Sequence, residues 1–234
     1  MRRKIQRLKK VHGQSQARVP ANFDCGLTTV DFCMTDYFAL LNEPRRPWLE
    51  PEALKTKFLK LAAAAHPDKR RGANETEKNA ANRRYAELNA AYQCLSEPKS
   101  RLRHLLELEL GAKPKNVQQI PPALANLFAE VATLCRDTDA FLAEKGKATS
   151  PLLQVGFFER AQEWTERLSA IQKKFNGLRG RLTGDLKLLD KKWVATGTAT
   201  HGEILPKLEE LYRSFGYFNR WHSQIQERIV RLSL

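Results

Sequence analysis

The spacing of apolar residues restricts what this chain can fold into. Apolar side chains recur every three or four positions along most of its 234 residues, and alternating β-branched runs of the kind that form strands are missing. One segment repeats spacings of three and four in the manner of a coiled-coil seam. Its residues are Ala161, Trp164, Leu168, Ile171, Phe175, Leu178 and Leu182. The pattern predicts an all-α fold.

Capping and breaking residues divide the first half of the chain into four predicted helices. A short helix runs from its cap Asp36 to about Leu41, and a second starts near Pro51 and stops at His66, because the α conformation is disfavoured before a proline. A third helix is expected from about Glu75 to Leu95, and a fourth from Lys99 to Leu110, closed by Gly111.

The second half predicts an antiparallel three-helix bundle with short connections. Its first helix begins near Leu124 and ends at Gly146, the second starts at Ser150–Pro151, and the last is separated from it by the loop Ala195 to Gly202. Three glycines in the second helix leave open whether it kinks or breaks near Asn176–Gly177. We predict a basic, disordered extension at 1–35, a first domain at 36–111 and the bundle at 112–234.

The formal net charge of +14 is unevenly distributed. Met1 to Phe23 contains seven basic residues and no acidic one. These are Arg2, Arg3, Lys4, Arg7, Lys9, Lys10 and Arg18. The tail is consistent with a solvated disordered arm, with weak contact to nucleic acid or ribosome, or with a mitochondrial targeting peptide, and its sequence does not choose among the three.

Several functional classes are disfavoured by what the sequence lacks. The longest apolar stretch, Leu61 to Ala65, is far shorter than the roughly 18–20 residues of a membrane span, and no secretory signal is recognisable. The cysteines contain no C-x-x-C pair, so we expect reduced thiols, no metal site and no cofactor. The phosphate-binding, zinc-protease and nucleophile-elbow motifs are missing, and bundle carboxylates are expected at the surface among lysines and arginines. We therefore expect no enzymatic activity.

One tripeptide stands apart from this background. His66–Pro67–Asp68 lies between two amphipathic helices, at the expected tip of their hairpin. Pro67 fixes its own φ and removes an amide donor, which holds the neighbouring side chains outside the helix. Asp68 would present a carboxylate to an arginine of a partner, with the donor and acceptor of His66 beside it. The simpler alternative is a helix stop in which Asp68 is only a cap.

The residues around the tripeptide resemble the J-domain, a co-chaperone module that stimulates heat-shock ATPases of the DnaK type. The similarity covers Asp36 to Leu110, including Asp36-Tyr37-Phe38, Phe58-x-x-Leu61 and the run from Leu88 to Arg101. It implies that the hairpin tip docks on the chaperone ATPase, aided by a basic face on the second helix. The residues assigned to that contact are His66, Pro67, Asp68, Lys57, Lys60, Lys69 and Arg70.

The whole arrangement from Asp36 to Leu234 is similar to the HscB (Hsc20) family of iron–sulfur cluster co-chaperones. After Arg101 the chain runs to Gly111 and a three-helix segment, and it has neither the Gly/Phe-rich linker nor the zinc repeats of general J-proteins. The resemblance implies a DnaK/HscA-type chaperone partner and an IscU-type scaffold partner. Scaffold binding is assigned to an apolar patch at Leu124, Ala125 and Phe128, whose alternative role is burial against sister helices. We expect a bacterial cytoplasmic protein, with the mitochondrial matrix as the second choice.

Two other functions remain open from the sequence. The first half could belong to a J-protein with a different client. Alternatively, the basic tail and positive bundle could bind nucleic acid or the ribosome, although clustered aromatic residues for base stacking and known base-reading motifs are missing. Nucleic acid is thus the least favoured partner.

Overall fold

Helices account for all regular secondary structure in the computed structural model, over the residues that it describes: 35–66, 74–114, 120–121, 124–147, 151–197 and 201–233. Their order is α1 (Tyr37–Leu40), α2 (Pro51–Ala65), α3 (Glu75–Ser96), α4 (Pro98–Leu110), α5 (Ala125–Lys145), α6 (Pro151–Thr196) and α7 (Leu205–Ser233). The all-α prediction is confirmed. The extension at 1–34 and the tip residues 67–73 lie outside the described residues.

The helix ends follow local chemistry. The Asp36 carboxylate accepts hydrogen bonds from the backbone N–H groups of Phe38 and Ala39 at the start of α1. Pro51 occupies the first turn of α2, and His66 is extended at its end, with φ −62° and ψ 129°. Gly111 closes α4 in the left-handed conformation at φ 64°, which glycine adopts without the steric cost of a Cβ atom.

The three C-terminal helices form an up–down–up bundle. Ion pairs Arg160–Glu144 and Lys174–Glu130 join α6 to α5 in antiparallel order, and Lys145 at the end of α5 donates to the Leu232 carbonyl at the end of α7. The helices α5 and α7 are therefore parallel to each other and antiparallel to α6. The core of this bundle is continuous with that of the first four helices, since α4 packs against α7.

The long helix α6 continues through its glycines without a break. It is helical from Pro151 to Thr196, and Phe175, Leu178, Leu182 and Leu186 are buried on its inner side. Each glycine costs about 1 kcal/mol relative to alanine, whereas each buried Leu or Phe side chain contributes about 1.5–3 kcal/mol. Burial of the inner stripe on both sides of Gly177 therefore outweighs the weak helix propensity.

Candidate functional site

The helices α2 and α3 form a hairpin whose core is aliphatic and aromatic. Leu54 and Ala62 of α2 are buried, as are Leu88, Ala91 and Leu95 of α3. The ring of Phe58 stacks on Tyr92 with centroids 4.3 Å apart and planes 11° from parallel. Asn74 caps α3 by accepting a hydrogen bond from the Glu77 backbone N–H at 2.8 Å. These contacts therefore join α2 to α3 along the hairpin, and Asn74 caps α3 where it begins.

His66 ends α2 at the tip of this hairpin. It is half-buried, and its ring meets the Tyr85 ring of α3 edge to face, with centroids 5.4 Å apart. Tyr85 therefore holds the imidazole against the opposite helix instead of leaving it on the end of a loose turn. The other tip residues of the prediction, Pro67, Asp68, Lys69 and Arg70, lie outside the described residues.

The two lysines assigned to the basic face of α2 have different surroundings. The Lys57 ammonium forms an ion pair with Glu43 at 2.8 Å and donates to the Asn42 carbonyl at 3.1 Å, so its charge is partly neutralised from within the chain. Lys60 is exposed and forms no ion pair within the described part of the chain. Leu59, between them in sequence, is 54% exposed. Lys60 is therefore the better placed of the two to meet an acidic partner.

The base of the hairpin is built on α1 and α4. His104 is buried on α4, where its Nε2 accepts a hydrogen bond from the Tyr37 backbone N–H at 3.0 Å, and its ring stacks near Tyr37 and Phe38. Accepting this bond requires the neutral imidazole, and burial lowers the pKa of His104 below its usual value. This histidine is a structural element of the fold.

A buried arginine ties the segment before α2 to α3 and α4. Arg101 is 2% exposed and donates from Nε to the Pro47 carbonyl at 2.8 Å and from Nη1 to the Leu95 carbonyl at 2.7 Å. Burial lowers the pKa of Arg101 to about 10, so the side chain stays charged near neutral pH. Its guanidinium carbon lies 5.4 Å from the centroid of the Trp48 ring.

The expectation that bundle carboxylates lie at the surface is wrong for Asp190. This residue of α6 is 3% exposed and accepts hydrogen bonds from Arg46 Nε at 2.9 Å, from Arg46 Nη2 and from the Trp48 backbone N–H at 3.0 Å. We call the contact of segment 45–48 with α6 the clamp. The signal that the sequence offered was the position of Asp190, between Leu189 and Trp193 on the inner side of the helix.

Further contacts surround the clamp. Trp193 donates from its indole nitrogen to the Arg45 carbonyl at 3.0 Å, and its ring stacks on His201 with centroids 3.4 Å apart. The Nδ1 atom of His201 lies 3.3 Å from a carboxylate oxygen of Glu109, near the end of α4. The Lys187 ammonium sits 4.6 Å from the centroid of the Trp48 ring. Helix α6 is therefore attached directly to the segment before the hairpin and, through His201, to α4.

The predicted scaffold patch is only partly on the surface. Leu124 is 2% exposed, because it packs inward at the start of α5, while Ala125 is exposed and Phe128 is 40% exposed. The Phe128 ring lies 5.9 Å from the buried Trp221 ring of α7. Any partner that binds this patch would contact Ala125 and Phe128, which α7 supports from below. The binding role itself stays a prediction.

Other chemistry-bearing side chains are embedded in the fold. Burial raises the pKa of Cys94 to about 11 and also raises that of Cys135, which keeps both thiols protonated and weakly nucleophilic near neutral pH. His222 is half-buried and stacks on Phe218. Within the described residues, no group of three or more His, Cys, Asp and Glu side chains is arranged to hold a metal ion, and no helix is apolar and long enough to cross a membrane.

Comparison with known proteins identifies the first four helices. The DnaJ domain family model matches residues 36–104. The fold resembles the crystal structure of the human co-chaperone protein HscB, with a TM-score of 0.50, 16% identity, and coverage of 83% of this chain and 82% of that one. The chaperone HscB from Vibrio cholerae matches with 21% identity and a TM-score of 0.40, over 82% of this chain and 99% of that one.

These comparisons bear out the resemblance drawn from the residues. Residues 36–104 match the DnaJ domain, and the all-helical fold resembles that of human HscB. A DnaJ domain on this fold supports a co-chaperone role and implies an Hsp70-type chaperone as its partner.

Proposed function

We propose that this J-domain protein stimulates the ATPase of a DnaK/HscA-type chaperone and delivers an IscU-type iron–sulfur scaffold to it, without being an enzyme itself. The observation that carries the proposal is the α2–α3 hairpin. It lies within the DnaJ domain match, and its first helix ends at His66. The stacking of Phe58 on Tyr92 and the contact with Tyr85 hold His66 in a defined position against α3. Such preorganisation lowers the entropy cost of binding.

The chemistry of docking follows from the residue types at the tip. His66 supplies an imidazole, and Asp68, two positions later, supplies a carboxylate that accepts charge-assisted hydrogen bonds from an arginine. Lys60, and Lys69 and Arg70 by their sequence position, would steer an acidic chaperone surface toward the tip. Rim charges of this kind act mainly on the association rate and its salt dependence.

Delivery of a scaffold requires a second surface and a connection to the first. The exposed Phe128 beside Ala125, supported by Trp221, offers an apolar anchor of the type that dominates binding energy at interfaces. The clamp at Asp190 supports coupling between the two surfaces, because it ties the segment before the hairpin to the bundle. The compartment, bacterial cytoplasm or mitochondrial matrix, stays a prediction.

The test is a single-turnover ATPase assay with the chaperone, measured with and without scaffold. We expect wild type to stimulate hydrolysis, His66→Gln to lose nearly all stimulation, and scaffold to add to the wild-type effect. His222→Gln is the matched control, since this histidine lies on α7 and is expected to leave stimulation unchanged.

The outcomes separate the proposal from its alternatives. Stimulation without any effect of scaffold would identify a J-protein with another client. If His66→Gln and wild type behave alike while RNA binding falls steeply with salt, the nucleic-acid function replaces the proposed one.

A further inference from the structure

Apart from the contact of Lys187 with Trp48, the outer face of α6 has no partner within the described part of the chain. From Val155 to Ala195 the side of this helix that faces away from α5 and α7 is exposed. Four of the large exposed apolar side chains of the molecule lie on this one helix: Val155 and Phe158 at 70%, Leu188 at 58% and Val194 at 57%. Isolated exposed apolar residues are ordinary, but several on one helix, together with a charge pattern, indicate an interaction surface.

The charges on this outer face change sign along the helix. Glu159 and Glu166 lie in the first half and Lys191 lies in the second half, where Arg181 lies at the edge of the face, beside the groove toward α7; all four are exposed. Within the described residues, none of the four takes part in an ion pair or a side-chain hydrogen bond. Two acidic groups at one end and two basic groups at the other therefore remain available to an outside partner.

The charges on the outer face of α6 are complementary to those of a second, antiparallel copy of the helix. Glu159 and Lys191, and also Glu166 and Arg181, lie at nearly equal distances on either side of the helix midpoint, near Lys173 and Lys174. If a second α6 lies antiparallel against the first, each glutamate meets a cation of the other copy, and two-fold symmetry doubles every pair. Phe158 and Val194 are about ten turns apart at 3.6 residues per turn, so they share one flank and meet in the same pairing.

The middle of the face permits close approach. Gly177, Gly180 and Gly184 lie along it, and a Cβ atom built on any of them would meet nothing within 4 Å. Contacts with the described residues therefore do not require these glycines, although each weakens the helix. Their small size leaves room for a neighbouring helix. Lys173 falls near the symmetry axis, where its long stem allows the two ammonium groups to turn apart.

We propose that the outer face of α6 is a self-association surface, on which two copies of this chain pair antiparallel through Glu159–Lys191 and Glu166–Arg181. The contact is polar with flanking apolar groups, as in interfaces that form and dissociate reversibly. This inference does not rest on the proposed function, since it concerns a face of α6 away from the hairpin and from Phe128.

The test is sedimentation velocity of the full chain over a concentration series, with charge-reversal variants. Glu159→Lys with Glu166→Lys raises the net charge, whereas Arg181→Glu with Lys191→Glu lowers it. We expect each pair of reversals to weaken dimerisation by at least about tenfold, and the variant carrying all four, which restores the wild-type net charge, to recover it. If association instead follows net charge, with the second pair strengthening it, the proposal is overturned.

A glycine substitution distinguishes an effect on dimerisation from an effect on the stability of the folded chain. Gly180→Gln raises helix propensity, so we expect a higher Tm together with a weaker dimer. Gly156→Gln is the control: it lies about 120° around the axis from Gly180 and is expected to leave association unchanged. A wild-type chain that stays monomeric up to about 500 µM, or a Gly180→Gln chain that dimerises as wild type does, overturns the proposal.

Discussion

Replacing Asp190 by alanine tests how strongly the bundle is attached to the segment before the hairpin. The substitution removes the acceptor of three hydrogen bonds, two from the Arg46 guanidinium and one from the Trp48 backbone N–H. The hydrogen bond that Arg46 donates to Asp190 raises the pKa of Arg46, so the guanidinium is charged, and it stays charged in the variant. The variant therefore deprives a charged Arg46 of its charged partner and does not only remove contact area.

The size of the expected destabilisation depends on the groups that the substitution leaves unpaired. Breaking a fully buried ion pair by removing one partner costs about 3–5 kcal/mol. Here the stranded Arg46 side chain is 34% exposed and can turn toward water, which reduces that cost by about half. The unpaired Trp48 N–H adds about 1 kcal/mol. We expect Asp190→Ala to lower the free energy of unfolding by about 3 kcal/mol, and Asp190→Asn, which keeps an acceptor for Trp48, by about 1.5 kcal/mol.

Urea denaturation followed by circular dichroism gives these free energies. For a chain of this size a loss of 3 kcal/mol corresponds to a decrease in Tm of about 6–12 °C. Asp185→Ala is the matched control, since Asp185 is an exposed aspartate five positions earlier on α6 and should change stability by less than about 0.5 kcal/mol. If Asp190→Ala is as mild as Asp185→Ala, the clamp contributes nothing and the reasoning fails.

Three further predictions concern other parts of the molecule. Burial lowers the pKa of His104 in the folded protein, so the unfolded chain binds a proton more readily. We therefore expect the free energy of unfolding to fall as the pH drops below about 6.5. His104→Gln should reduce that loss, as measured by urea titrations. With a pKa raised to about 11, native Cys94 should react with iodoacetamide at pH 8 far more slowly than after unfolding, as measured by peptide mass spectrometry. Phe128→Ala should weaken scaffold binding by about 2 kcal/mol, or roughly 30-fold, in calorimetry while helicity is unchanged; unchanged affinity would remove Phe128 from the scaffold site.

Features set by neighbouring residues could be predicted from the sequence. Asp36, His66 and Gly111 determine where α1, α2 and α4 begin or end through contacts or φ/ψ preferences within a few residues, and the structure has those boundaries within a residue of the prediction. The inner stripe of α6 was equally visible. Whether that helix continued through Gly177 was not, because propensity and burial act in opposite directions there and only the folded core decides.

Features that depend on distant parts of the chain could not be predicted. Asp190 and Arg46 are separated by 144 positions, so although Asp190 falls on the inner side of α6, no residue near it in sequence indicates Arg46 as its partner. Leu124 and Phe128 both fit the apolar stripe of α5, yet the first is buried and the second is 40% exposed, since neighbouring helices cover the two positions unequally. Local periodicity does not specify which side of a helix its neighbours will cover.

The clamp also bears on how docking and delivery are coupled. Three contacts of α6 converge on the segment between α1 and α2: Asp190 with Arg46, Lys187 with Trp48, and Trp193 with the Arg45 carbonyl. That segment leads directly into Pro51, the start of the hairpin, so it links the base of the hairpin to the bundle. Under the proposed function, Asp190→Ala leaves the α2–α3 contacts intact and should retain ATPase stimulation by the co-chaperone alone. The additional stimulation by scaffold should fall, because scaffold and chaperone would no longer be held in one fixed geometry. Equal losses with and without scaffold would instead mean that the clamp supports the hairpin itself.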